Sequence, residues 1–194
     1  MAQSTPAPAE EPKLSTGESL KVNLYFWLQA AVSALVCILL LFTFVGRGIG
    51  VVGSSMVPTL HEGDMMVVQS LGYTPKNGDV VVLTKASFMH EPIVKRVIAT
   101  GGQTVRIDYA SNTVFVDGVA LEEPYINEPM LEPTSPTMSI SEITVPEGFL
   151  FVMGDNRNAS TDSRDVQVGL VDERDVLGHA IFVLFPFSDF GAIR

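Results

Sequence analysis

From Leu24 to Val45 the chain carries no charged residue and, apart from Gln29, no strongly polar one. At about 1.5 Å rise per residue this run predicts a helix of roughly 33 Å, long enough to cross a bilayer core. Tyr25, Phe26 and Trp27 stand at its start, where interfacial aromatics are expected. A cleavable leader has an apolar region of roughly 7–15 residues and ends in an A-x-A-like sequence; this run is longer and has no such end, so it reads as an uncleaved anchor. Lys13 and Lys21 precede it and Arg47 alone closely follows, a bias that favours a cytoplasmic N-terminus and a C-terminal domain across the membrane. Residues 1–22, rich in Ala, Pro, Glu, Ser and Thr, have too little apolar surface to offset ordering entropy and are expected to be disordered.

After the anchor, expected over 23–46, the pattern changes to short runs rich in Val, Ile and Phe. Strands are expected at Met65–Gln69, Val80–Leu83, Ile93–Ala99, Gln103–Ile107, Thr113–Val116, Phe149–Met153 and Ala180–Phe185. Turn signals separate them: Lys76-Asn77-Gly78-Asp79, Gly101-Gly102 and Asp117-Gly118. Asp117-Gly118 between Thr113–Val116 and Val119–Leu121 predicts a hairpin. No helix-period stretch of useful length interrupts this before Gly154. The fold class expected is therefore mostly β: one N-terminal transmembrane helix, then an antiparallel β-rich domain over 47–194. Within it, residues 122–146 hold Pro124, Pro129, Pro133, Pro136 and Pro146 and read as an extended excursion.

Composition narrows the function classes. Lys plus Arg number 12 against 22 Asp plus Glu, a formal net charge of -10. That balance lacks the basic footprint of a nucleic-acid binder and makes any membrane attachment hydrophobic rather than electrostatic. Cys37 is the one cysteine and lies inside the apolar run, so no intramolecular disulfide or thiolate cluster is available. His61, His90 and His179 show no ligand-like spacing, and neither a metal nor another cofactor is expected.

Three segments are polar and Gly-rich where their surroundings are apolar: Gly53-Ser54-Ser55-Met56-Val57-Pro58-Thr59-Leu60, Val94-Lys95-Arg96-Val97, and Gly154 through Arg164. Singly, each has an ordinary reading: a serine turn, a lysine alternating outward from a strand, a solvated loop. Together they suggest a chemistry. A hydroxyl nucleophile needs a base, and no histidine stands in a recognisable serine-protease context. Lysine serves only when neutral, and lowering its pKa from about 10.4 to near 8 requires roughly 3 kcal/mol of destabilisation of the charged form. Apolar neighbours such as Val94 and Val97, with the charge of Arg96 nearby, supply the means. Serine with lysine is an attested variant of the catalytic triad.

Those three segments, Gly53–Leu60, Lys95-Arg96-Val97 and Gly154-Asp155-Asn156-Arg157-x-x-Ser160-x-Asp162-Ser163-Arg164, resemble the hallmark boxes of bacterial type I signal peptidases. Their order, their wide spacing and the preceding anchor match, and the third box is the most specific. The resemblance implies Ser55 as nucleophile, Lys95 as general base, and Ser160 hydrogen-bonded to the Lys95 amine. It implies Asp162 paired with Arg164, Asp155 paired with Arg96, and the backbone N–H of Ser55 in the oxyanion hole. Some members, notably the Gram-negative type, carry a serine two positions before the nucleophile; here that position is Gly53, as in many Gram-positive members, which leaves the second oxyanion donor open. The single anchor also resembles the Gram-positive type, and Lys95 stands where the endoplasmic-reticulum relatives have histidine.

Membership of that family implies cleavage of signal peptides from exported preproteins at small-x-small sites, with the lipid bilayer and the protein-export machinery as further partners. An extended substrate would add to a strand edge near the site. Val51, Val52 and Val94 flank the catalytic residues as candidate pocket walls, and each reads equally well as an ordinary core valine. Ser55 follows Val45 by ten residues, at most roughly 33–36 Å of extended chain, which would tether the nucleophile near the membrane plane. Two rival readings are a self-cleaving Ser/Lys domain like that of SOS-type repressors and a catalytically silent anchored binding module. The first joins a cytosolic DNA-binding domain rather than an anchor, and the second has no chemical need for Ser55, Lys95 and Ser160 together.

Overall fold

The computed structural model describes residues 16–44, 47–85 and 88–194, which fall into two compact units divided after Leu41. The first unit is helix α1, Thr16–Phe44. Its Leu20–Leu39 stretch has a mean hydropathy of 1.8 with none of it buried, so it is long and apolar enough to cross a membrane. The expectation of disorder through residue 22 is corrected in part, because Thr16–Val22 belong to the helix. Once a helix is nucleated, each added residue gains a hydrogen bond without a new nucleus. Residues 1–15 and Val45 lie outside the described residues.

The second unit is β-rich. Its strands are β1 (Arg47–Gly50), β2 (Met65–Gln69), β3 (Val80–Lys85), β4 (Met89–Ala99), β5 (Thr104–Asp108) and β6 (Thr113–Val116). They continue with β7 (Val119–Ala120), β8 (Glu142–Thr144), β9 (Phe149–Met153), β10 (Val171–Asp172), β11 (Val176–Phe185) and β12 (Gly191–Ala192). Among the described residues an eight-stranded sheet runs β1-β2-β11-β3-β4-β9-β10, with β12 added on β11, and a four-stranded sheet runs β7-β6-β5-β8. Every pairing is antiparallel.

The residue pattern explains this layout. Val80-Val81-Val82-Leu83 are all buried, as a central strand covered on both faces requires. In β5 and β6 burial alternates, so the small sheet offers one face to the core: Val105, Ile107, Val114 and Val116 pack with Ile98, Phe151 and Met153 of the large sheet. The hairpin at Asp117-Gly118 forms as expected, with Val116 opposite Val119. Both turn residues have positive φ, 52° and 78°, the conformation that matches strand twist in a two-residue loop. A second cluster, containing Met56, Leu60, Met66, Val68 and Val80, lies beneath the segment that carries Ser55.

Some strands extend beyond their expected bounds, and β3 runs on to Lys85. β4 begins at Met89 and β11 at Val176, because Pro92 and Gly178 interrupt the apolar pattern without ending the pairing. The excursion at 122–146 is not wholly irregular, since β8 within it pairs with β5.

Gly178 marks the closest approach between β11 and β2. A Cβ there would collide with the carbonyl oxygen of Gln69 and stand 2.8 Å from Val68 Cγ1. Gly178→Ala is expected to lower stability by about 1–3 kcal/mol through overpacking. Gly191→Ala, where nothing lies within 4 Å of the added methyl, is the neutral control. Denaturant unfolding of the solubilised protein measures both.

Candidate active site

Lys95 sits near the middle of β4, opposite Val81 of β3. Successive side chains on a strand point to opposite faces, so Lys95 and Arg96 serve different surroundings, and both residues are buried. The Lys95 amine donates to the hydroxyl of Ser55, Nζ to Oγ 2.7 Å. Burial is the largest influence on that amine and pushes its pKa down from 10.5 to about 8; Asp162 and Asp155 pull it upward, and Arg164 pushes it down.

Ser55 occupies a turn held down at its far side. Met56 and Leu60 are 1% and 0% exposed, and the Leu60 N–H donates to the Met56 carbonyl. On the near side, Asn156 donates from its backbone to the Ser55 carbonyl at 3.0 Å and from its side chain to the Ser54 carbonyl at 3.1 Å. Among the described residues no acceptor meets the N–H of Ser55.

The loop Gly154–Arg164 closes the site. Asp162 takes two bonds from the Arg164 guanidinium, at 2.8 and 2.9 Å, and a third from the Gly154 N–H at 3.0 Å. Burial alone would raise the Asp162 pKa; the Arg164 contacts and the Gly154 N–H more than offset it and hold the carboxyl below its ordinary value. Asp155 likewise takes two bonds from Arg96, at 2.8 and 2.6 Å, and accepts from Thr59. Such bidentate pairing is what lets a guanidinium and a carboxylate share a dry interior. Arg96 also donates to the main-chain oxygens of Gly78 and Arg194.

Ser160 departs from expectation. Its hydroxyl is buried and makes no hydrogen bond to Lys95; it lies near enough to the Asp162 carboxylate to help lower its pKa, but not in the geometry of a full hydrogen bond. The reason is local packing: the hydroxyl fills the space beside Gly154 where a Cβ would otherwise stand, next to the Ser55 carbonyl.

A cleft of about 690 Å³ opens over Ser55 and Lys95, and Val52 and Val94 line it together with Ile49, Val82, Ile93 and Ala159. Val51 does not line it. Only 4% exposed, Val51 packs into the core with Met56 and Leu60, whereas its neighbour Val52 is 82% exposed. Gly53, at φ 85°, lines the cleft beside Ser54.

Sequence reasoning passed over Thr59, Asn156, Glu123 and Tyr125. Asn156 lies inside a recognised segment and a side chain able to bond two ways is its only signal; Glu123 and Tyr125 lie in the stretch expected to be an extended excursion. One grouping among the described residues has metal-ligand geometry, His61, Asp64 and Asp189, whose ligand atoms lie within 4.8 Å of one another. It was hidden from spacing because Asp189 is remote in sequence, and none of the three lines the cleft.

A family model described as "Signal peptidase, peptidase S26" matches residues 24–185. The chain belongs to the signal peptidase family. It is 38% identical over 170 residues to the "Probable signal peptidase I-1" of Synechocystis sp., covering 82% of each chain. It is 36% identical over 176 residues to the signal peptidase I of Bacillus licheniformis, covering 87% of this chain and 92% of the relative. With the signal peptidase I T of Bacillus subtilis it shares 36% identity over 191 residues, 93% and 96% of the two chains. Membership makes the chain a peptidase.

The buried amine carries a thermodynamic signature independent of activity. Lys95 releases its proton near 8 when folded and near 10.5 when unfolded, so between those values the unfolded chain binds more protons and stability rises with pH. The penalty is fully present below about pH 8 and relieved as pH approaches 10.5. Lys95→Met should therefore be more stable than wild type at pH 7, by an amount on the order of 3 kcal/mol, and should lack the rise. Unfolding measured from pH 7 to 10.5 reads the difference.

Proposed function

We propose that this chain is a membrane-anchored serine endopeptidase that removes signal peptides from exported preproteins, with Ser55 as nucleophile and Lys95 as general base. The reading rests above all on the 2.7 Å contact between Lys95 Nζ and Ser55 Oγ with the lysine buried. Family membership supports the substrate class.

In the proposed reaction, neutral Lys95 takes the Ser55 proton as Oγ attacks the scissile carbonyl carbon. The tetrahedral intermediate collapses when the Lys95 ammonium protonates the departing amine, leaving the signal peptide as an ester on Ser55. Water, deprotonated by Lys95, then attacks that ester, and the proton returns to Ser55 Oγ. The unengaged Ser55 N–H is suited to hold the oxyanion. The Ser160 hydroxyl, which makes no bond to Lys95 in this conformation, would be a partner for the ammonium of the charged intermediate. Asp162 with Arg164, and Asp155 with Arg96, would keep the surrounding loop rigid.

The strand edges support binding of an extended substrate. β4 pairs with β3 along its length, but its pairing with β9 begins only at Arg96. Among the described residues Glu91–Lys95 thus keep a free edge along the cleft, where a peptide would gain main-chain hydrogen bonds and place alternate side chains against Val52 and Val94. In this reading α1 crosses the bilayer with the N-terminus cytoplasmic, and the β unit works on the opposite side, where export machinery delivers preproteins.

Ser55→Ala and Lys95→Ala are each expected to lower processing of a preprotein by detergent-solubilised enzyme at least about 10³-fold. Wild-type activity in either variant would sink the assignment. For the wild type, kcat/KM should climb about tenfold per pH unit below about 8 and level off above it, since only neutral Lys95 is competent. Replacing Val52 or Val94 by Phe should change which small residue is accepted at the cleavage site. An unchanged preference across a peptide panel removes that valine from the pocket.

A further inference from the structure

Two arginines of the site are almost wholly withdrawn from water: the Arg96 and Arg157 side chains are 2% and 0% exposed. Each needs a carboxylate to be tolerated there. Arg96 takes Asp155, its neighbour across the sheet. Arg157 instead reaches Glu123, whose side chain is 5% exposed and which comes from the start of the Pro-rich excursion. Both terminal nitrogens of Arg157 donate to it, NH1 to Oε2 at 3.1 Å and NH2 to Oε1.

Tyr125 joins the two pairs. Its hydroxyl donates to Glu123 Oε1 at 3.0 Å, fixing the carboxylate that holds Arg157. Its ring lies across the Arg96 guanidinium, with the central carbon 3.9 Å from the ring centroid, and Arg157 stands 5.9 Å from the same centroid. A guanidinium so placed is attracted by the negative face of the ring and shielded from water.

The pairs lead to the reacting atoms through Gly154. Arg157 Nε donates to the Gly154 carbonyl at 3.1 Å. Beside the Gly154 Cα, in the space of a missing Cβ, lie the Ser160 hydroxyl and the Ser55 carbonyl oxygen. The adjoining Asn156 N–H holds that same Ser55 oxygen. Displacing Arg157 would therefore displace the peptide against which the nucleophile and Ser160 are both seated. Neither Glu123 nor Tyr125 lines the cleft.

We propose that Glu123 and Tyr125 are positioning residues of this peptidase, holding Arg157 and Arg96 so that the Gly154–Arg157 turn presents Ser55 and Ser160 in register with Lys95. The proposal rests on the Ser55–Lys95 reading. It assigns to the excursion a part in the chemical step rather than in substrate binding.

The test uses the full-length chain in detergent, with steady-state kinetics on a preprotein and rates corrected for the folded fraction seen by near-ultraviolet circular dichroism. Tyr125→Leu and Glu123→Ala should lower kcat by about tenfold or more with KM within about twofold, because misplacement of about an ångström is enough to slow an oriented reaction this much. Tyr125→Phe keeps the ring on Arg96 and should retain kcat within about threefold, a rescue that a lost hydroxyl catalyst would not show. Should the first two fail to fold, Glu123→Gln, which keeps an acceptor for Arg157 but removes its countercharge, decides: a fall of about fivefold or more in kcat is expected. Unchanged kcat in the folded variants, a loss confined to KM, or equal losses in Tyr125→Phe and Tyr125→Leu would each overturn the proposal. Ser55→Ala and Lys95→Ala run alongside separate the two ideas: if they stay active, the underlying reading has failed, and if they alone are dead, only the positioning inference has.

Discussion

An amine can act as a base only where its ammonium form is disfavoured, and at Lys95 that condition constrains everything around it. A lysine on the surface would hold its proton far above neutrality. Burial moves the amine to about 8, so that roughly a tenth is neutral at pH 7. Burial is a property of the whole strand environment and not of one neighbour. It requires β3 opposite, the nucleophile turn above and the Gly154–Arg164 loop closing the side. The large sheet, with its all-buried β3, provides the dry wall in which such a residue can be set.

The same burial makes the nearby acids dangerous. Asp162 and Asp155 both pull the Lys95 pKa upward, and unneutralised they would fix it as an ion pair rather than a base. Each is instead bound bidentately by an arginine. The carboxylates can then organise backbone and loop without fully re-protonating the lysine. Arg96 shows how much structure this takes: besides Asp155 it meets the carbonyls of Gly78 and Arg194 and the ring of Tyr125, drawn from separate parts of the chain. Lys95 is therefore coupled, through its neighbour Arg96, to turns and strands far from it in sequence.

This coupling also decides what could be read in advance. The central strands and the Asp117-Gly118 hairpin were legible because a period of two and a turn needing positive φ are local signals. So were Ser55, Lys95 and the third segment, as polar runs set in apolar surroundings. The split between buried Val51 and exposed Val52 was not, since two adjacent valines look identical until the path of the backbone is known. Nor were Glu123 and Tyr125, whose role depends on a contact across thirty-odd residues that no local pattern encodes. The helix began earlier than composition suggested because propagation along an existing helix overrides weak local preference. Ser160 was found by its segment, but its unpaired state follows from the crowding at Gly154, which only the packing displays.

That crowding bears on the least determined part of the site, the groups that would face an oxyanion. A side-chain hydroxyl two positions before the nucleophile is one way to supply a second donor. Here the position is Gly53, held at φ 85°, in a region that residues with a Cβ seldom adopt. The space around it is open, with nothing within 4 Å of an added Cβ, so the barrier to a serine there is conformational rather than steric crowding by neighbours. A serine would have to strain or rebuild the turn that presents Ser55. In the proposed reading, the backbone conformation that presents Ser55 and a hydroxyl that would assist it compete for one residue, and the glycine favours the turn. In that reading the N–H of Ser55 is one donor, and a second would come from a group other than a side chain at position 53.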